Sequence, residues 1–435
     1  MRRQLAIWLV CLQALVAWSG HIMMDGSYTC PEDGIYPGTT RTYQVYVPEQ
    51  YDGTAAACLY VGLDGVLCNA PAVMDSLIAA GQMPVTIGIF VQPGVVRDGQ
   101  GEIIRYNRSN EFDNITPAFA SFLEAELLPH ALSLVTPNGR KLHITPNGND
   151  HMIFGLSSGG IAAFTAAWHR PDLFARVFSG VGTFVAMRGG NDLQAIVRKH
   201  EPKPLRIFLQ DGTRDVWNPL FGHWYEGNRM LASALQFAGY DCDMDWSDGA
   251  HNVRRATEIF AQVMEWMWRD WPQPIEVGTT QNDLLAPLLL PGEGWQEEPS
   301  RPIVPNPLQT YSPDSAFFVT SDGHHLSQTL VINGKPCATQ QFYWLHNYDD
   351  RPLALRDKAF DGDGNLWVVT RAGIQICDQN GRVRAILETP LWSDCINITI
   401  EDGLVRLSDG INTYSRRLNV KAAIPGVRPK SQGQG

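Results

Sequence analysis

The sequence predicts an α/β domain built on a mostly parallel sheet, followed by a smaller all-β region. Three observations predict it. Between Arg41 and Trp271, short runs rich in β-branched and aromatic residues alternate with amphipathic runs of helical period. Several of the strand runs are apolar throughout, as strands covered by helices on both faces are. Beyond Trp271 the helical period stops. A length of 435 residues suits two domains and a sizeable core.

Taken in order, the N-terminus MRRQLAIWLVCLQALVAWSG sets Arg2 and Arg3 before an apolar run from Leu5 to Trp18. Ala17 and Ser19 then form an A-x-S cleavage pattern, which predicts a secretory signal peptide over residues 1–20 and a secreted or periplasmic mature chain. An uncleaved anchor is the alternative, but the run is shorter than the roughly 20 residues a spanning helix needs. No stable membrane insertion is expected after signal removal. Export permits disulfides, and losing Cys11 leaves Cys30, Cys58, Cys68, Cys242, Cys337, Cys377 and Cys395, an odd number, so at least one stays unpaired within the chain. There is no CxxC and no Cys/His cluster at zinc spacing, so neither a metal nor another cofactor is expected. A net charge of -11 disfavours a nucleic-acid partner.

Residues 21–272 form the α/β domain. RTYQVYV and ACLYVGL read as strands and as the antiparallel edge of the sheet; VMDSLIAAG reads as a helix, PVTIGIFV as a strand and TPAFASFLEAELLPHAL as one amphipathic helix. HMIFGL (strand), GGIAAFTAAWH (helix), ARVFSGV and LRIFLQ (strands), WYEGNRMLASALQFAG (helix), CDMDW (strand) and RRATEIFAQVMEWMWRDW (helix) complete it. Residues 273–306, rich in Pro, Gly and acids, read as a linker. From 307 to 422, runs such as SAFFVTS, NLWVVTR and RVRAILE separated by Gly, Asp and Asn turns predict a meander of small antiparallel sheets, and 423–435 a disordered tail.

The chemistry concentrates in FGLSSGGIAAF, where Ser157 stands between Gly155 and Gly159, after a strand and before a helix. A G-x-S-x-G turn in that setting holds the serine Oγ above the sheet, and its glycines avoid collisions in a strained bend. Ser158 has a glycine at plus two but none at minus two, so only Ser157 is flanked by glycines on both sides. A serine hydroxyl needs a base to take its proton and a carboxylate to orient that base. In α/β-hydrolases the chain order is serine, acid, histidine. His251, in SDGAHNVRR between the last strand and the last helix, is the candidate base, with His223 as runner-up. LQDGTRD offers Asp215, which lies farther into the loop, as the acid, with Asp211 as the alternative and as a cap of its own turn. Backbone N–H groups of Ser158 and of Val66, or of Gly65 next to it in GLDGVL, are the candidates for the oxyanion hole.

These residues together resemble the putative-esterase family of α/β-hydrolases, which includes enterochelin esterases, feruloyl esterases and, more distantly, the mycobacterial mycolyltransferases. LDG, RYNRSNEFD, GLSSGG, LQDGTRD, DGAH and EWMWRDWP carry the resemblance over roughly residues 30 to 272. It implies the triad Ser157, Asp215 and His251, and Val66 as an oxyanion donor. It also implies that Asp64, Arg108 and Glu111 lie near the substrate, although Arg108 and Glu111 are spaced to pair with each other; Phe112 stands where the family has tyrosine. Trp266, Trp268 and Trp271 read as helix packing. The resemblance further implies an acyl-enzyme mechanism on carboxylic esters of the siderophore, aromatic-acid or acylated-carbohydrate kind.

The second region resembles part of the gluconolactonase and senescence-marker β-propellers, through YSPDSAFFVT, FDGDGNLWVVTRAGIQICDQNGRVRAIL and INTYSRRL. Two or three blades are all that its length supplies. The metal-binding asparagine and aspartate of that family fall near Pro307 and Arg356, which implies a non-catalytic, docking role. Its open sheet edges require cover from the first domain or from self-association with a second copy. The expected function is therefore a secreted serine esterase. The alternatives are a non-catalytic carbohydrate-binding or scaffold protein, and an acyltransferase to a sugar acceptor.

Overall fold

A computed structural model of the chain describes residues 20–299, 303–348, 351–390 and 395–429. The predicted signal peptide lies outside the described residues, apart from Gly20.

Ten strands of the first domain join in one sheet: β1 (Ile22–Thr29), β2 (Thr40–Val47), β3 (Cys58–Leu63), β4 (Thr86–Val91), β5 (Val95–Arg97), β6 (Ile103–Tyr106), β7 (His151–Leu156), β8 (Arg176–Gly180), β9 (Arg206–Arg214) and, after the short hairpin β10 (Trp217–Asn218) and β11 (Gly222–His223), β12 (Asp241–Ala250). The spatial order is β12-β9-β8-β7-β3-β4-β2-β5-β6, with β1 also on β2. Pairs from β12 through β3 to β4 are parallel, and those involving β1, β2, β5 and β6 are antiparallel. ACLYVGL, expected at the antiparallel edge, is instead the central parallel strand β3. Its six residues are all buried because β4 and β7 flank it and helices cover both faces. The antiparallel partner of β2 at that side is β1, whose polar composition, IMMDGSYT, hides its strand character.

The helices are α1 (Ala70–Ala79), α2 (Arg108–Phe112), α3 (Ala118–Phe122), α4 (Leu128–Leu132), α5 (Ser158–His169), α6 (Leu193–Lys199), α7 (Trp224–Ala238) and α8 (Arg254–Trp268). The expected single helix over TPAFASFLEAELLPHAL is α3 and α4 joined by a π-helical turn, Leu123–Leu127. Pro129 has no N–H to give to the preceding turn and its ring crowds a carbonyl there, which the wider turn relieves. One face of the sheet packs with Phe122, Leu127, Ile161, Phe164, Trp168 and Leu235, and the other with Met74, Phe260, Met264 and Met267 from α1 and α8. Trp268 is buried under the Arg176 guanidinium, 4.9 Å from its ring, and packs as expected; Trp271 lies beyond the end of α8, is exposed, and donates its indole N–H to Asp150. The thiols of Cys30, Cys58, Cys68, Cys242, Cys337 and Cys377 are free.

The segment 273–306, expected as a linker, carries a helical turn, α9 (Leu285–Leu288), and a strand, β13 (Gln296–Glu298). Leu285 and Leu288 are buried in the apolar cluster of the C-terminal region, and β13 pairs with the last strand of the chain, so side-chain burial fixes a segment whose composition reads as loose. Among its described residues the C-terminal region forms three four-stranded antiparallel sheets. The strand Val383–Leu387 lies at the edge of one of them, and the first domain covers it through a short parallel bridge between His200 and Ile386. Around that bridge His200 Nε2 lies 2.7 Å from Tyr348 Oη, Arg416 donates to Glu201 at 2.7 Å, and Lys203 pairs with Glu388. Beside the two positions noted in the sequence, Asn306 donates to Asp357, whose carboxylate also accepts the N–H groups of Asn306, Lys358 and Ile398. Of the expected disordered tail, residues 423–429 are described and Gly426 N–H is tied to Pro313 O at 2.6 Å; the remainder lies outside the described residues.

Candidate active site

The parallel strands β7, β9 and β12 end at one edge of the sheet, and each hands a loop residue to the same point there. At the end of β7 the chain turns at Ser157 with φ 59° and ψ −121° and enters α5 immediately. That backbone is strained for a residue with a side chain. Four bonds hold it: Ser157 N–H to Gly180 O, and the N–H groups of Gly160, Ile161 and Thr183 to Ser157 O. The glycines are required by contact. A Cβ on Gly155 would stand 2.2 Å from Gly159 O, and one on Gly159 would stand 2.9 Å from Asp64 Oδ2.

His251, between β12 and α8, places Nε2 2.8 Å from Ser157 Oγ and Nδ1 2.6 Å from Asp215 Oδ1. The Asp215 side chain is fully buried, while that of His251 is 26% exposed, so the imidazole reaches solvent and the carboxylate does not. Burial by itself pushes the Asp215 carboxyl up, but hydrogen bonds from His251, Asp211 and the Val216 N–H outweigh it and hold the group below the usual carboxylate range. Asp215 is thus ionised when the histidine needs a counter-charge. The tautomer this arrangement demands has the Nδ1 proton on the Asp215 side and Nε2 open to accept the serine proton.

Asp211, the alternative acid, does not reach the histidine. It is fully buried, caps its own turn by accepting from Gly212 N–H at 2.6 Å, and accepts from Asn228 Nδ2 at 2.7 Å. His223, the runner-up base, sits on β11 opposite Trp217.

The turn after β3 has positive φ at Asp64 (63°) and Gly65 (81°). Gly65 N–H is committed to Val91 O, which leaves Val66 as the remaining candidate of this turn; Ser158, as the first residue of α5, has no intrahelical acceptor for its own N–H. Arg108 joins the two halves. Its Nε and Nη2 donate to the Asp64 carboxylate at 2.7 and 2.8 Å, and Nη1 donates to Ser158 Oγ at 2.8 Å. Arg108 is 37% exposed in its side chain and stacks 5.6 Å from the Phe112 ring. Both Asp64 carboxylate oxygens are thus engaged by Arg108, which ties the turn to α2.

Glu111 is corrected more sharply. It pairs with Arg41, not Arg108, accepting at 2.6 and 2.9 Å with both side chains fully buried, and it also accepts from Gly94 N–H and Asn107 Nδ2. No substrate can touch it. Sequence reasoning missed Thr183, whose Oγ1 lies 3.5 Å from Ser157 Oγ and accepts from Trp224 Nε1, and Trp224, whose ring stands edge-on to His251 at 6.1 Å. Neither carries a local signal, since their relation to the serine arises from the docking of α7 beyond β8.

Comparison with known proteins gives one family. The family model described as Putative esterase matches residues 36–262, over half of the chain. No curated protein matches the sequence. Among solved structures, a ferulic acid esterase is 16% identical, with 58% of this chain and 98% of that one covered at a TM-score of 0.43. The enterobactin esterase of Shigella flexneri is 19% identical over 57% of this chain and 59% of its own, TM-score 0.43. The ferric enterobactin esterase of Salmonella typhimurium is 19% identical over 58% and 59%, TM-score 0.43.

Proposed function

The chain belongs to the putative-esterase family, and on that premise we propose that it is a secreted serine hydrolase that cleaves carboxylic esters through an acyl-enzyme. The observation that carries this reading is the relay Ser157 Oγ to His251 Nε2 at 2.8 Å and His251 Nδ1 to Asp215 at 2.6 Å. As Oγ attacks the ester carbonyl, its proton passes to Nε2, and the buried Asp215 stabilises the cation so formed. The carbonyl oxygen gains negative charge, which the N–H groups of Ser158 and Val66 offset. The imidazolium then protonates the leaving alkoxide, and water attacks the acyl-enzyme by the same route in reverse.

Arg108 supports the hole indirectly. By binding Asp64 and Ser158 Oγ together it locks the two donor segments in one geometry, and its exposed portion places guanidinium N–H donors, their charge balanced by Asp64, beside the nucleophile. That suits esters with acceptor-rich acyl or alcohol parts, such as aromatic-acid, siderophore or acylated-carbohydrate esters. Val66, and Val216 and Trp217 next to Asp215 in the chain, are exposed apolar side chains that supply a counterpart. Export rests on the N-terminal charge and apolar pattern. The C-terminal sheets are read as blades of an incomplete propeller with a docking role.

The test is labelling of purified protein with a fluorophosphonate, with the modified peptide located by mass spectrometry and Ser157→Ala as control. Stoichiometric label on Ser157, together with loss of p-nitrophenyl ester turnover by several orders of magnitude in the control, is expected. Well-folded protein that takes no label would overturn the assignment and favour a binding module.

A further inference from the structure

Behind the triad lies a second carboxyl that the relay does not use. Asp211 and Asp215 flank the end of β9, and both are buried. Asp215 Oδ1 takes the bonds from His251 and Val216, while its Oδ2 is sealed from solvent and has no donor from any amide, hydroxyl or cationic group among the described residues. The Asp211 side chain is within hydrogen-bonding reach of Asp215. Two carboxylates cannot share a buried contact while both are ionised, and a buried carboxylate oxygen without a donor is costly.

We propose that Asp211 is a positioning residue: it is held as an un-ionised carboxylic acid and donates its hydroxyl hydrogen bond to the inner oxygen of Asp215. The division of roles follows from the partners. Asp215 faces the histidine and a backbone N–H, which favour its charge. Asp211 faces Gly212 N–H, the Asn228 amide from α7, and Asp215; it forms no ion pair among the described residues, and His251 bonds to Asp215 on the other side. Burial and then the hydrogen bond to Asp215 push the Asp211 carboxyl well above the ordinary range, in agreement with this placement. Asn228 is itself oriented, because its Nδ2 also donates to Gly182 O at 2.8 Å and Trp224 O at 3.0 Å, so its donor end is fixed on Asp211. The result is a chain from Asn228 to Asp211 to Asp215 to His251 to Ser157. It fixes the carboxylate plane against which the imidazole is aligned.

The inference rests on Asp215 being the acid of the triad, and the test separates the two. Infrared spectra of the full chain at neutral pH should show the C=O band of a buried protonated carboxyl, absent from Asp211→Asn. In kinetics with a p-nitrophenyl ester, Asp211→Asn, which keeps a neutral donor, should stay within about threefold of wild-type kcat/KM, with a superimposable pH profile. Asp211→Ala should lose roughly tenfold or more in kcat at nearly constant KM, with a displaced acid limb. Absence of the band, its persistence in Asp211→Asn, or a wild-type pH profile in Asp211→Ala would each overturn the proposal. Failure of the triad reading would show differently, as an active Asp215→Asn enzyme, whatever the infrared result.

Discussion

Removing the Glu111 carboxylate is expected to damage the fold and spare substrate binding. Its spacing from Arg108 invites a role at the substrate, whereas the structure buries it completely against Arg41. In Glu111→Ala the Arg41 guanidinium keeps its charge in a site closed to solvent, and Gly94 N–H and Asn107 Nδ2 lose their acceptor as well. Breaking a buried ion pair from one side costs about 3–5 kcal/mol. The guanidinium sits 4.1 Å from the Phe122 ring centroid, and that cation–π contact offsets part of the loss. About 4 kcal/mol is therefore expected, a fall in Tm of roughly 8–16 °C for a domain of this size. Thermal unfolding followed by circular dichroism measures it. The KM for a p-nitrophenyl ester, taken well below the transition, should change by less than about twofold. Replacing both partners by leucine should recover a large part of the stability, because no charge is left stranded. A Glu111→Ala protein with wild-type Tm and a selectively raised KM would refute the reasoning and return Glu111 to the substrate site.

The remaining predictions concern the relay and its turn. Asp215→Asn should lower kcat by about 10³–10⁴-fold at little changed KM, since an amide favours the wrong histidine tautomer; steady-state kinetics on the purified variant checks it. Gly159→Ala puts a Cβ 2.9 Å from Asp64 Oδ2, so that carboxylate and its Arg108 clamp must shift; a loss of about 1–3 kcal/mol in stability and a drop in fluorophosphonate labelling rate are expected. The pH dependence of stability carries the sign of Asp211. Its folded-state pKa is raised, so its contribution is fully present below the ordinary carboxyl range near ~4 and is lost as pH rises toward the raised value, at up to about 1.4 kcal/mol per pH unit. Asp211→Asn does not titrate, so its Tm relative to wild type should climb steadily between pH 5 and 8 on the order of that slope. Parallel Tm curves for the two proteins would contradict a raised Asp211.

What could be read from the sequence was local. Gly155, Ser157 and Gly159 mark a strand-to-helix turn because that turn admits no side chain at its flanks, and the 2.2 and 2.9 Å approaches that an added Cβ would make at the two glycines state the same constraint in space. His251 and Asp215 were legible through chain order, since strands running parallel bring their following loops to one edge. Burial of a strand on both faces was legible in ACLYVGL, but not which strands would flank it. The partnership of charges was not legible at all. Helical spacing suggests Arg108 with Glu111, yet Arg108 reaches Asp64 across 44 positions and Glu111 reaches Arg41 across 70.

The sequence by itself thus determined the alternation of strands and helices, the strained serine turn, and the order in which Ser157, Asp215 and His251 follow their strands, because each is a matter of backbone sterics and hydrophobic period within a short window. Only the tertiary structure decided that β3 is central, that Asp211 backs Asp215 and does not replace it, and that Thr183, Trp224 and Asn228 surround the relay. Those outcomes depend on which surfaces are removed from water together. Once they are, each buried charge or donor must take the partner that packing leaves within reach.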